Sequence, residues 1–122
     1  GLGDPAGIVE VVAAGIDMFD CVLPTRHARH GTVLTTAGRL NLRNARFATD
    51  DSPLDSAFPA SPAGRWSRAY LRHLLMTDEP TGGRLLTMHN LAWLLDFVDR
   101  LRTSIEAGTF EAFRSDTLTV WG

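Results

Sequence analysis

The segment from Asp4 to Leu23 constrains the fold most. Asp4-Pro5 is a good helix start, because an Asp side chain caps free backbone N–H groups and Pro is tolerated in the first turn. Ile8, Val11 and Val12 then fall on one helical face, and Gly15 supplies a C-terminal stop. Ile16 to Leu23 follows as a mostly apolar run, interrupted by Asp17 and Asp20. Its length and flanks predict a buried strand. Helix, short turn, buried strand is the repeating unit of an α/β protein with a parallel sheet. One unit cannot build a sheet, so further sequence upstream is expected, and the opening Gly1-Leu2-Gly3 without an initiator Met points the same way. A lone parallel strand exposes unpaired edges and an apolar face, which predicts a poorly soluble or oligomeric species.

Pro24 ends the strand, and Thr25 to Gly31 reads as a polar, basic loop. Thr32 to Thr36 and Arg39 to Arg43 alternate around Ala37-Gly38, as a hairpin does. Residues 50–64 hold Pro53, Pro59 and Pro62 and should be irregular. Ser67 is placed to cap a helix running to about Met76, and Asp78 to Gly83 is turn-rich. Arg84 to about Glu106 reads as a long helix, with Leu91, Leu94, Leu95, Val98, Leu101 and Ile105 at helical spacing. Gly108 breaks it, and Phe110 to about Val120 forms a last short helix.

Composition removes several function classes. The 122 residues suffice for one small domain with a real core. A net charge of −2 gives no strong nonspecific pull on nucleic acid, so any RNA contact needs a local basic patch. Cys21 is the only cysteine, which rules out an intrachain disulfide and a Cys-rich metal site and fits a cytoplasmic setting. No apolar run is long enough to span a bilayer.

The chemistry concentrates in residues 17–31. A carboxylate sits near the end of the expected strand, and a loop with Arg26, His27, Arg29 and His30 follows. The C-terminal ends of parallel strands are where α/β barrels place their active sites. The plain alternative is that Asp17 or Asp20 caps a turn or pairs with Arg26, and that the arginines form a solvated loop face. Cys21 reads as a small packing residue. Trp66, Trp93 and Trp121 read as packing residues too. His73 shares a helix face with Arg68 and Arg72, either RNA-facing or solvated, and Glu106, Glu111 and Asp116 look like solvated helix charges.

The run Asp17-Met18-Phe19-Asp20-Cys21-Val22-Leu23-Pro24-Thr25-Arg26 resembles the signature of the tRNA-guanine transglycosylases, the queuine tRNA-ribosyltransferase family. The likeness continues through Asn44-Ala45-Arg46-Phe47, Pro53-Leu54-Asp55, Ser67 to Leu74, His89-Asn90 and Ser104 to Gly108. Several motifs in order across nearly the whole chain are a stronger signal than one short pattern. The resemblance implies the C-terminal segment of a (β/α)8 TIM barrel. Residues 1–31 would be its last helix and strand with the RNA-binding loop, residues 32–66 a hairpin and zinc-type insertion, and residues 67–122 C-terminal helices. It implies a pentosyltransferase that exchanges guanine for queuine or a queuine precursor in tRNA with a GUN anticodon. Asp20 would be the catalytic nucleophile, Gly1 would contact the base, and Arg26 and Arg29 would hold the anticodon-loop backbone.

The expected chemistry suits those residue types. A carboxylate attacking C1′ gives a covalent ribosyl-enzyme intermediate, and the incoming base displaces it with net retention. A planar guanidinium engages two phosphate oxygens at once. The chain departs from the family at the zinc site, whose three cysteines correspond to Phe58, Ala60 and Ala63, leaving only His89. No zinc is therefore expected, since a structural zinc takes four ligands; His89 is expected to be packed or hydrogen-bonded, and the insert to be held by Phe58 and Trp66. The resemblance also implies a homodimer near this insert, an expectation that the lost ligands weaken. The family's second essential Asp lies on barrel strands that these residues do not include, so the 122 residues alone are expected to be inactive. Two other readings stand beside the enzyme: a non-catalytic tRNA-binding or partner subunit that keeps the arginine surface, and an inactive truncated fragment.

Overall fold

A computed structural model describes all of residues 1–122. It contains five α-helices and one small antiparallel sheet: α1 (Pro5–Ala13), α2 (Leu23–Arg29), β1 (Thr32–Thr35), β2 (Gly38–Asn41), a 3-10 turn (Ala45–Phe47), α3 (Arg68–Met76), α4 (Pro80–Glu106) and α5 (Phe110–Trp121). Two compact units share these elements. The first comprises Gly1–Leu23 and Leu94–Gly122, the second Pro24–Trp93, and α4 contributes residues to both. No helix is long and apolar enough to cross a membrane.

In the first unit, α1 begins as its sequence dictates: Asp4 is the N-cap, its carboxylate accepts from the Gly7 N–H at 2.9 Å, and Pro5 occupies the first turn. Gly15, at φ 99°, turns the chain after the helix. Ile8 and Val9 are buried, while Val11 and Val12 are only half-buried. The Arg114 guanidinium of α5 holds both carboxylate oxygens of Glu10 in α1, at 3.1 and 3.0 Å. Phe97 packs on Phe113 with ring centroids 5.3 Å apart.

The expected buried strand over Ile16 to Leu23 does not form. Residues 16–22 have no regular secondary structure, and Ile16, Met18 and Val22 are 48%, 88% and 60% exposed. A strand exists by pairing, and the only sheet in this structure is the β1–β2 hairpin, which lies elsewhere. Ile16, Met18 and Val22 are therefore left facing outward, while Phe19, Cys21 and Leu23 are half-buried.

The second unit is built on the hairpin. Thr32 pairs with Asn41 and Thr35 with Gly38, and the link through Thr36-Ala37 is tight, with Gly38 at φ 109°. Val33, Leu40 and Leu42 enter a core completed by Ala28, Phe47, Leu54, Ala63, Leu71, Leu74, Leu75, Leu85 and Leu86, with Trp66 against it. Residues 50–66 are irregular, as the prolines require. Asp55 anchors them. Its buried carboxylate accepts from the Thr36 N–H at 2.7 Å, the Thr36 hydroxyl at 2.8 Å and the Trp93 indole N–H at 3.2 Å.

Two further expectations need correction. The basic stretch expected to be a loop is helix α2, since Pro24 falls in a first turn, where its missing N–H is not needed. Helix α4 starts at Pro80 and not after Gly83, for the same reason. Its buried stripe takes in Leu86, His89, Asn90, Trp93, Phe97, Leu101 and Ser104, while Leu91, Leu95 and Ile105 are exposed. Both sets repeat every three or four residues, so periodicity alone does not choose between them. Ser67 caps α3 as expected, accepting from the Tyr70 N–H at 3.1 Å.

Candidate functional site

In the first unit, the structure brings Gly1 beside Asp20. A Cβ on Gly1 would lie 3.3 Å from the Asp20 carbonyl oxygen and 3.6 Å from Cys21 Cα. Two residues on, a Cβ on Gly3 would lie 2.1 Å from Cys21 Sγ. Residues 1–3 thus run directly along residues 20–23, and glycine permits the approach. Cys21 is half-buried against this ribbon, which fits its reading as a packing residue. Asp20 is exposed, and its carboxylate makes no hydrogen bond or ion pair within this chain, so both oxygens stay available as acceptors or nucleophile. Asp17 is exposed as well, and neither carboxylate caps a turn.

In the second unit, Arg26 and Arg29 stand one turn apart on α2, exposed, which places both guanidinium groups on the same side. They lie in the last turn, where a cation is favoured by the helix dipole. His30 is exposed beside them. His27 is half-buried, and its Nδ1 is buried with no hydrogen-bond partner. Burial above all, with help from Arg39, His30 and Arg26, holds its pKa below the ordinary imidazole value.

A polar pair that sequence reasoning did not single out for this role positions α2. Strand β1 has a free edge, and α4 satisfies it with side chains. The Leu34 N–H donates to Asn90 Oδ1 at 3.0 Å, Asn90 Nδ2 donates to the Thr32 carbonyl at 3.0 Å, and His89 Nε2 bonds the Leu34 carbonyl at 2.8 Å. His89 and Asn90 therefore do what a third strand would do. Asn90 Nδ2 also donates to the Pro24 carbonyl at 3.1 Å, which ties the start of α2 to the same spot. The available signal was a polar pair inside the stripe that carries Leu86 and Trp93.

The zinc-type positions offer no donor set. Phe58, Ala60 and Ala63 carry no ligating atom, and no cluster of three His, Cys, Asp or Glu exists in the chain. His89 is fully buried, and both ring nitrogens are engaged. A carbonyl only accepts, so Nε2 carries the proton toward Leu34, and Nδ1 accepts from the Ser61 hydroxyl at 2.7 Å. Burial keeps its pKa low, against smaller opposing effects of Leu34 and Asp55. Phe58 packs edge-on to the ring, 6.0 Å between centroids. The residues present do not fit a tetrahedral zinc.

Other basic residues serve the scaffold. Arg68 bonds Asp50 at 3.2 Å and the Leu54 carbonyl at 2.9 Å, and Arg72 donates to the Asn44 carbonyl at 3.1 Å, while His73 is simply exposed.

A family profile described as queuine tRNA-ribosyltransferase matches residues 1–122. The chain is 49% identical over 121 residues to the queuine tRNA-ribosyltransferase of Agrobacterium fabrum, a match covering 99% of the chain and 32% of that protein. It is 45% identical over 119 residues to the one of Herpetosiphon aurantiacus, covering 98% of the chain and 30% of the relative. To the one of Desulfosudis oleivorans it is 48% identical over 114 residues, covering 93% and 30%. The chain thus spans about a third of the length of the curated relatives it matches.

Proposed function

Because the chain belongs to the queuine tRNA-ribosyltransferase family, we propose that it is the C-terminal part of an enzyme that exchanges guanine for a queuine-type base in tRNA. In this reading residues 1–3 and 16–23 belong to a (β/α)8 barrel in the cytoplasm. Asp20 is the nucleophile, the Gly1 backbone lies against the base, and Arg26 and Arg29 hold the RNA backbone. One Asp20 oxygen bonds to C1′ of the target ribose as the C1′–N9 bond breaks and guanine leaves with the bonding pair. The incoming base then displaces the carboxylate at the same carbon, so configuration is retained. Barrel residues outside this chain handle the protons.

The observation that carries the reading is the contact of Gly1 with an exposed, unpaired Asp20. An acid with no structural partner, beside a glycine, suits attack on a substrate better than it suits folding. The zinc-type insert is metal-free in the same reading, held by Phe58, Trp66 and the Ser61–His89 contact.

The test uses the full-length protein with a tRNA bearing a GUN anticodon and no free base, followed by a denaturing gel. Wild type should give a slow-migrating covalent RNA–protein band that Asp20→Asn lacks. A second reading, a non-catalytic tRNA-binding subunit, draws on the missing zinc ligands. It is the outcome if no band forms while Arg26→Ala and Arg29→Ala still weaken tRNA binding.

A further inference from the structure

Helix α2, which carries Arg26 and Arg29, spans only seven residues, Leu23–Arg29. Two turns do not hold as a helix alone, so α2 keeps its place by tertiary ties. Pro24 and Ala28, four residues apart, are its buried side, which leaves Arg26 and Arg29 exposed. Just past the helix, the Gly31 carbonyl accepts from the Leu42 N–H at 2.8 Å. At the start of the helix the tie is Asn90 of α4, whose Nδ2 donates to the Pro24 carbonyl at 3.1 Å.

Asn90 is fully buried, and a buried amide is costly unless its polar atoms are used. Oδ1 and one bond of Nδ2 go to the open edge of β1, to the Leu34 N–H and the Thr32 carbonyl. The other bond of Nδ2 is of a different kind. The Pro24 carbonyl lies in the first turn of α2, where the N–H four residues on is its ordinary partner. That carbonyl does not need Asn90 for satisfaction, so the bond serves to fix position. We infer that Asn90 is a positioning residue for RNA binding: its amide sets the pose of α2 against β1, and with it the reach of Arg26 and Arg29 to the RNA backbone. The inference rests on the tRNA reading above, in which those two arginines hold that backbone. Asn90, being buried, meets no RNA itself. A guanidinium fork engages two phosphate oxygens at a defined angle, and a helix already held at that angle binds at lower cost.

The experiment measures binding of an anticodon stem–loop RNA to the full-length protein by fluorescence anisotropy across a KCl series, below the melting range of every variant. Asn90→Ala is compared with Arg26→Ala/Arg29→Ala, with the variant carrying all three changes, and with Ser61→Ala, which removes the neighbouring His89 contact and leaves the Pro24 bond alone. Each single-strand phosphate contact contributes about 0.7 to the log–log salt slope. Asn90→Ala should weaken binding roughly fivefold and flatten the slope by roughly 0.7, although it removes no charge. With both arginines already replaced, the asparagine change should cost nothing further, because the groups it acts through are gone. Ser61→Ala should melt earlier and bind RNA as wild type does. If Asn90→Ala does not melt cooperatively, Asn90→Ser takes its place, with a shorter side chain that keeps a hydroxyl at β1 and falls short of Pro24. Wild-type affinity and slope in the asparagine variant, beside weakened binding by Arg26→Ala/Arg29→Ala, would overturn the inference and leave the tRNA reading standing. A loss that persists without the arginines, or an equal loss in Ser61→Ala, would mark general destabilisation and overturn it as well. Wild-type binding by Arg26→Ala/Arg29→Ala would remove the RNA contact assigned to those arginines, and the inference with it.

Discussion

His89 and Asn90 tie α4 to strand β1 and to the start of α2 in the second unit. Asn90 satisfies the Leu34 N–H and the Thr32 carbonyl and adds a bond to the Pro24 carbonyl. Asn90→Ala takes the side-chain partner from the Leu34 N–H and the Thr32 carbonyl, and an unsatisfied buried group costs about 1–3 kcal/mol. A loss of roughly 3 kcal/mol in urea unfolding is expected, and a loss under 1 kcal/mol would show that water replaces the side chain. His89 gives stability a pH dependence of definite sign. Its folded-state pKa lies below the unfolded one, so the unfolded chain binds the proton more tightly. Stability is full above the ordinary imidazole range, about 6.5, and declines as the pH falls below it. His27 acts in the same direction. Urea melts at pH 7.5 and 5.5 should show the decline, and His89→Gln, which can still donate to the Leu34 carbonyl, should reduce it. An unchanged pH dependence in that variant would assign the effect elsewhere.

At the scale of elements, close approach matters as much as propensity. Gly3→Ala would set a methyl 2.1 Å from Cys21 Sγ and 2.9 Å from its Cβ, so the ribbon beside Asp20 must part. An overpacking penalty of about 1–3 kcal/mol is expected, and Cys21→Gly should recover part of it; equal melting of wild type and Gly3→Ala would show the ribbon to be loose. Elements that carry their own end signals were legible in the sequence. Asp4 and Ser67 cap α1 and α3, Gly108 at φ 73° closes α4, and the hairpin turns at Gly38. The strand over 16–22 was misread because a strand is a relation between segments, and pattern reports only one side of it. The buried face of α4 was not legible in the sequence because His89 and Asn90 look unfit for a core until the bare edge of β1 is set beside them. Their partners lie 55 to 66 residues away, beyond the reach of any local rule.

At the scale of the whole molecule, the candidate site was legible as residues and not as geometry. Asp20, Arg26 and Arg29 stood out by motif, whereas the packing of Gly1 over the Asp20–Cys21 backbone required the fold. Metal content is a whole-protein property with a direct measurement. Zinc per chain by plasma mass spectrometry should be far below one equivalent, and a chelator should leave the melting temperature unchanged. One equivalent of zinc, or a chelator-induced drop in melting temperature, would show that donors outside these residues complete a site. The Ser61–His89 contact has a consequence for the conditions under which the protein keeps its shape. Between Pro24 and Trp93 there is no thiol. A fold clipped by thiolates and a metal fails when peroxide consumes the sulfur or when scarcity withholds the ion. A Ser61 hydroxyl resting on the His89 imidazole uses neither thiolate nor ion, so thiol-blocking reagents should leave this contact as it was.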